Sequence, residues 1–180
     1  DEEVRAKICK GKVSSENWLK IHKMWHDHGK QSNATMLFGH IESRDNRIDH
    51  MLRIRDLQDE TGGFNAFIPL VYQRENNYLK DVKFLGSAEI LKTLAISRLV
   101  LDNVPHIKAY WATSTLNLAM IAQEFGADDL DGTIEKESIQ SAAGANSANG
   151  VTLKTFCDLI KTSGFTPVER DSLYNELKIY

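Results

Sequence analysis

Apolar positions along the chain recur every three to four residues in some stretches and nearly every residue in others, so the pattern predicts alternating helices and strands. After a short N-terminal helical piece, Ser14 or Ser15 caps a helix whose inward face carries Trp18, Ile21 and Trp25 and which Gly29 ends. A first strand follows over Ala34 to Phe38. A helix is expected over Asp45 to Asp59, with Ile48, Met51, Leu52 and Arg55 on one side and Gly62-Gly63 as its stop. The second strand, Asn65 to Leu70, runs into "VYQRENNYLKDVKFLG", a polar connection too long for a tight turn and of the kind that forms lids or binding loops. Ser87 is placed to cap the next helix, which presents Ile90, Leu91, Leu94 and Leu101 and ends by Asn103 and Pro105. A third strand, Ile107 to Ala112, leads to a helix closed by Gly126, and a short polar fourth strand reads "ADDLDGTI". "SAAGANSANG" reads as a surface loop, Thr152 caps "LKTFCDLIKTSG", and a last helix is predicted around "VERDSLYNELKIY".

Strands that alternate with helices imply a parallel sheet with right-handed crossovers. The fold class expected is α/β: a single domain over 1–180 with about four parallel strands, surrounding helices and a C-terminal helical extension. Four such strands make half of an eight-stranded (β/α)8 TIM-type barrel. Half a barrel leaves its edge strands unpaired and its interior side chains wet, so it should open into a sheet or recruit a second copy.

Composition narrows the setting. The 180 residues are 42% apolar and 26% charged with a formal charge of -3, and no basic run suggests a nucleic-acid surface. No apolar stretch approaches the roughly 20 residues a bilayer requires, and Asp1-Glu2-Glu3 has no signal-peptide character, so a cytoplasmic protein is expected. Cys9 and Cys157 stand far apart and fit reduced packing residues. The chain opens without Met, inside a helical pattern, and is expected to be a piece of a longer polypeptide.

Four stretches are candidates for chemistry. In Thr35 to Glu42 an apolar strand delivers Gly39, His40 and Glu42 at its C-terminal end, the edge where parallel α/β proteins bind ligands; equally, Gly39 is a turn glycine and Glu42 a helix cap. Pro69, with Tyr72 and Gln73 beyond it, marks where the second strand stops pairing. Trp111 precedes a hydroxyl-bearing turn, although core packing is the default for such a residue. Asp128, Asp129 and Asp131 are costly to bury unless paired or ligand-bound, and their spacing fails as a calcium loop. His22 and His26 lie one helical turn apart without the Glu of a zinc-protease motif and read as a solvated face. No dinucleotide fingerprint, P-loop or nucleophile elbow is present.

"SNATMLFGHIESRDNRIDHMLRIRDLQDETGGFNAFIPL", followed by "IKAYWATSTLNLAMIAQEFGADDLDGTIEKESIQSAAGA" and ending in "GFTPVERDSLYNEL", resembles the C-terminal half of the aminofutalosine synthases. These are radical S-adenosylmethionine enzymes of the futalosine route to menaquinone. The resemblance implies that the four strands are the fifth to eighth of a barrel. It implies a [4Fe-4S] cluster on a Cx3Cx2C motif, S-adenosylmethionine, a reductant protein, and 3-[(1-carboxyvinyl)oxy]benzoate as the acceptor of the adenosyl radical. Thr35, Leu37, Gly39 and Glu42 match the fifth-strand motif on the adenine side of the cofactor, and Ile68 and Pro69 resemble positions packed near it. Asn33, His40, Gln73, Trp111, Asp129, Asp131 and Thr133 are the implied substrate-side residues, pointing from strand ends into the barrel mouth, with no general base among them.

The cluster motif and the glycine-rich fourth-strand motif are missing from these 180 residues, so the chain alone is expected to bind no metal and to be inactive. The related cyclic dehypoxanthinyl futalosine synthases share the barrel; Leu70 after "FIP" and Asp131-Gly132 look more like the aminofutalosine enzymes. A reading from another class is a non-catalytic module that self-associates through the open half-barrel.

Overall fold

A computed structural model describes residues 1–134, 137–145 and 150–180. Short α1 (Glu2–Ile8) and amphipathic α2 (Ser15–Asp27) precede the sheet, and Ser14 caps α2 by accepting the Asn17 N–H. Strand β1 (Ser32–Phe38), helix α3 (Arg44–Thr61) and strand β2 (Phe64–Val71) form the first βα unit. Helix α3 starts at Ser43, whose hydroxyl and backbone form a reciprocal capping box with Asn46, and stops at Gly62 in the left-handed region. Helix α4 (Ser87–Val100) leads to a very short β3 (His106–Ile107), then α5 (Trp111–Ser114) and α6 (Leu116–Ala122), a 3-10 turn at Gln123–Phe125, α7 (Ile139–Ala142) and α8 (Leu153–Thr162). Strands β4 (Val168–Arg170) and β5 (Glu176–Ile179) close the described chain.

The sheet is parallel, in the order β1-β2-β3, and an isolated parallel bridge between Lys108 and Asp129 adds a rudiment of a fourth strand. Residues alternate sharply across β1: Ala34, Met36 and Phe38 are buried, whereas Asn33, Thr35 and Leu37 are exposed. The buried set packs with Met51, Ile54 and Leu57 of α3 and Ile90 and Leu94 of α4 in one core. Helices therefore cover one face of β1 while its other face is open, as expected of a strand whose barrel interior is incomplete.

Several expectations fail for identifiable reasons. The fourth strand is reduced to one bridge, and the third ends after Ile107 because the chain turns into α5 at Trp111. The α2 face is rotated: Ile21 and Trp25 are 56% and 50% exposed, and His26 is the buried residue. Leu52 of α3 is exposed, and Ser87 is the first residue of α4 rather than its cap, a place taken by Gly86. The predicted C-terminal helix is an antiparallel hairpin, with β4 paired to β5. Its turn is held by Asp171, whose carboxylate accepts the N–H groups of Leu173 and Asn175 at 2.8 and 3.0 Å, with Tyr174 at φ +65. Of the stretch read as a surface loop, Ser141 and Ala142 belong to α7, and residues 146–149 lie outside the described part.

Candidate active site at the open face of the sheet

In a parallel ladder, paired residues point to the same side. Thr35 pairs with Ile68 and Leu37 with Leu70, so these four stand on the open face together. Continuing the β2–β3 register by one residue places Lys108 beside Ile68, and the bridge sets Asp129 beside Lys108. This side of the sheet thus carries an apolar stripe, Leu37, Ile68 and Leu70, with exposed Thr35 on one side and buried Lys108 and Asp129 on the other.

The C-terminal end of β1 is tied down by one carboxylate. Glu42 accepts the N–H groups of Gly39 and His40 at 2.7 and 2.8 Å and the Arg47 Nε–H at 2.7 Å. Arg47 reaches on to Glu89 and Thr93 of α4, each at 3.2 Å. Burial opposes ionisation of Glu42, but the His40 side chain beside it and the Gly39 and His40 amides outweigh burial and pull its pKa down to about 2. His40 is equally committed: its Nε2 donates to the Leu37 carbonyl at 3.0 Å and its Nδ1 lies 2.9 Å from Glu42 Oε2. Gly39 holds φ +87, a conformation that favours glycine, and a Cβ there would push aside the tip of Leu85, whose Cδ2 would lie at 2.9 Å.

Beyond β3 the aspartates are paired. Asp129 is buried and accepts from Arg170, while Asp131 accepts from Lys108 Nζ at 2.5 Å. Asp128 faces outward to Arg98 and His106, at 2.9 and 2.8 Å. Tyr110 donates to Glu137 at 2.7 Å, and burial together with that carboxylate holds its hydroxyl well above the usual phenol range.

Most residues singled out in the sequence are therefore engaged within the chain. Thr35, Leu37 and Ile68 stand on the open face, and Gly39 and Glu42 shape the turn beside them. Pro69 pairs with Met36 on the helix-covered side and is buried, so it is divided from Ile68 by the alternation of the strand. Asn33 is the second residue of β1, at the far end from the mouth, because the strand starts earlier than Ala34. Gln73 donates its amide to the Val71 and Thr113 carbonyls at 3.0 and 2.9 Å. Trp111 is a core residue: it opens α5 instead of ending a strand, is 2% exposed, and gives its Nε1–H to the Gly132 carbonyl. Thr133 follows in the same loop, its carbonyl accepting the Val151 N–H. Tyr72 packs edge-on to His40 with its hydroxyl buried and without a partner of normal geometry among the described residues.

His22 and His26 are not a solvated pair. Thr61 donates its hydroxyl to Leu57 O and so accepts from His26 Nδ1, at 2.8 Å; His26 Nε2 then takes the proton of Ser32 Oγ, and His22 Nδ1 donates to that oxygen at 2.9 Å. This chain of bonds fastens α2 to the start of β1 and the end of α3. Burial lowers the pKa of both rings, consistent with neutral imidazoles.

Sequence reading missed Lys108, Arg47 and Arg170. In "HIKAY" the alternation of Ile107 and Ala109 with Lys108 and Tyr110 already put the lysine on the face opposite the core. Nothing local announces Arg170, whose partner lies 41 positions away.

The family described as the CofH/MqnC C-terminal region matches residues 61–180. The chain belongs to this family. It is 48% identical over 183 residues to an aminodeoxyfutalosine synthase of Thermus thermophilus, covering 99% of the chain and 49% of that relative. It is 42% identical over 191 residues to the enzyme of the same name in Streptomyces coelicolor, covering 100% of the chain and 49% of the relative. A cyclic dehypoxanthine futalosine synthase of Streptomyces coelicolor is 40% identical over 180 residues, covering 99% of the chain and 44% of the relative. The chain spans about half the length of the curated relatives it matches, and its family is that of a C-terminal region, so the resemblance seen in the sequence holds. Among the described residues no helix is long and apolar enough to cross a membrane.

Proposed function

We propose that this chain supplies barrel strands five to eight, and so one wall of the active site, of an aminodeoxyfutalosine synthase. The observation that carries the reading is a parallel sheet with one uncovered face, Thr35, Leu37 and Ile68, in a chain 48% identical over 99% of its length to such an enzyme. In the proposed reaction S-adenosylmethionine supplies an adenosyl radical to the enol-ether double bond of 3-[(1-carboxyvinyl)oxy]benzoate. The apolar stripe of Leu37, Ile68 and Leu70 would hold the adenosine and exclude water from the reacting carbon, with Thr35 offering a hydroxyl at its edge. Glu42 acts through the backbone: it fixes the Gly39–His40 turn that ends this stripe. Lys108, buried on the same side of the sheet and bonded to Asp131, is the group we assign to a substrate carboxylate.

The iron-sulfur cluster does not fit the residues present. Among the described residues no group of three or more His, Cys, Asp or Glu side chains is arranged to hold a metal, and the cysteines are Cys9 after α1 and Cys157 within α8. The cluster and the remaining wall belong to the preceding half of a longer polypeptide in this proposal, and the reductant that serves the cluster is a separate protein. The cyclic dehypoxanthine reaction is the second reading, favoured by the 40% identity to that enzyme. Incubating the longer polypeptide anaerobically with S-adenosylmethionine, reductant and each substrate decides between them. Aminodeoxyfutalosine from the enol ether supports the first reading; turnover of dehypoxanthine futalosine alone refutes it in favour of the second.

A further inference from the structure

Lys108 and Asp129 are bridge partners, so their side chains stand next to one another on the side of the sheet away from the helices. The lysine nevertheless passes over this neighbour and donates to Asp131 Oδ1, two residues further along, at 2.5 Å. Lys108 is 6% and Asp129 8% exposed, and two opposite charges shut away from water side by side would ordinarily pair. Asp129 is already occupied. Its Oδ2 lies 2.9 and 2.5 Å from Arg170 Nε and Nη2, and its Oδ1 accepts the Asp131 N–H at 2.8 Å.

The C-terminal hairpin delivers that arginine. The Arg170 guanidinium lies 4.1 Å over the Tyr174 ring, which stacks on His106 at 3.9 Å and 7°. His106 Nδ1 is fixed by Asp128 Oδ2 at 2.8 Å, and Asp128 by Arg98. Arg170 Nη2 also comes within 4.0 Å of Asp131 Oδ1, so two cations and two carboxylates close into a neutral set.

We propose that Arg170 is a positioning residue: by occupying Asp129 it directs the Lys108 amine to Asp131, towards the C-terminal edge of the open face, where the amine meets a carboxylate of the substrate. Only the last clause rests on the function proposed above; the choice of partner stands on the ion pairs alone. Without Arg170 the buried Asp129 captures Lys108 and draws it back from the mouth.

The test is a crystal structure of the R170M chain. The expected result is Lys108 Nζ about 3 Å from an Asp129 carboxylate oxygen and no longer bonded to Asp131. Lys108 still on Asp131 overturns the proposal. Should R170M fail to fold, R170L, which likewise removes every bond to Asp129, is read in the same way. In R170M/D129N the competing charge is gone and Lys108 returns to Asp131; a merely structural Arg170 gains nothing from this second change. In the longer active polypeptide, R170M is expected to raise KM for the anionic substrate about tenfold with kcat within about twofold, and D129N to reverse it. Re-pairing without any effect on KM refutes the substrate contact and leaves the positioning role standing; unchanged pairing refutes the positioning role whatever the assay returns.

Discussion

Gly63 shows how far one residue controls the join between helix and sheet. A Cβ at this position would fall 2.1 Å from His26 Cγ, inside the ring that bonds Thr61 and Ser32. Gly63→Ala must displace that ring, and we expect a loss of about 1–3 kcal/mol in urea unfolding, with the His26 bonds broken. Titration adds a second test at this scale. Burial pushes His50 from 6.5 down to about 4, so the unfolded chain takes up its proton first as pH falls. Stability from His50 is complete above about pH 6.5 and is lost towards pH 4, worth up to roughly 3 kcal/mol. Glu42 has the carboxylate sign: its contribution is present above about pH 4.5 and lost as pH falls to about 2. Unfolding free energy measured from pH 8 to 2.5 should therefore fall in two stages; H50Q should shrink the upper one, which His22 and His26 share, and E42Q should shrink the lower. The glycines and caps were readable because they act on their neighbours in sequence. The His26–Thr61 bond joins residues 35 positions apart and was not, which is why the histidines read as solvated.

At the scale of elements, the C-terminal hairpin separates local pattern from fold. A helix is expected around "VERDSLYNELKIY", yet its Val168, Leu173 and Leu177 are exposed and define no buried face. What selects the hairpin is the Asp171 turn, together with Arg170 and Tyr174 reaching Asp129 and His106. Neither Gly nor Pro marks that turn, and the contacts that reward it lie far away in sequence. Tyr174→Ala removes the ring between the Arg170 guanidinium and the imidazole, and we expect about 2 kcal/mol less stability with faster amide exchange across β4 and β5. Slowed exchange running through Asp171–Asn175, as in a continuous helix, would contradict the hairpin. The βα order and the open face of β1 were legible, since period two against a helical period is a strong signal. The third and fourth strands were not, because two residues and one bridge carry too little alternation to show their length.

For the whole molecule, the sheet is finished on the helix side and unfinished on the other. β1 has a free edge among the described residues, since it pairs with β2 alone, and Thr35 and Leu37 face outward where a barrel would enclose them. Of the sequence-derived site, Thr35, Leu37 and Ile68 retain a free surface, whereas His40, Glu42, Gln73 and Asp129 are held by internal bonds that no single-sequence pattern reveals. The central claim is that this chain is one wall of a cofactor site whose metal ligands lie in a preceding half. The most direct measurement is anaerobic reconstitution with iron and sulfide of this chain and of the polypeptide extended through that half, read by [4Fe-4S] absorption and electron paramagnetic resonance. We expect the cluster signal in the extended polypeptide alone, together with conversion of the enol ether to aminodeoxyfutalosine. A stable cluster in the 180-residue chain would contradict the claim and turn attention to Cys9 and Cys157 as ligands.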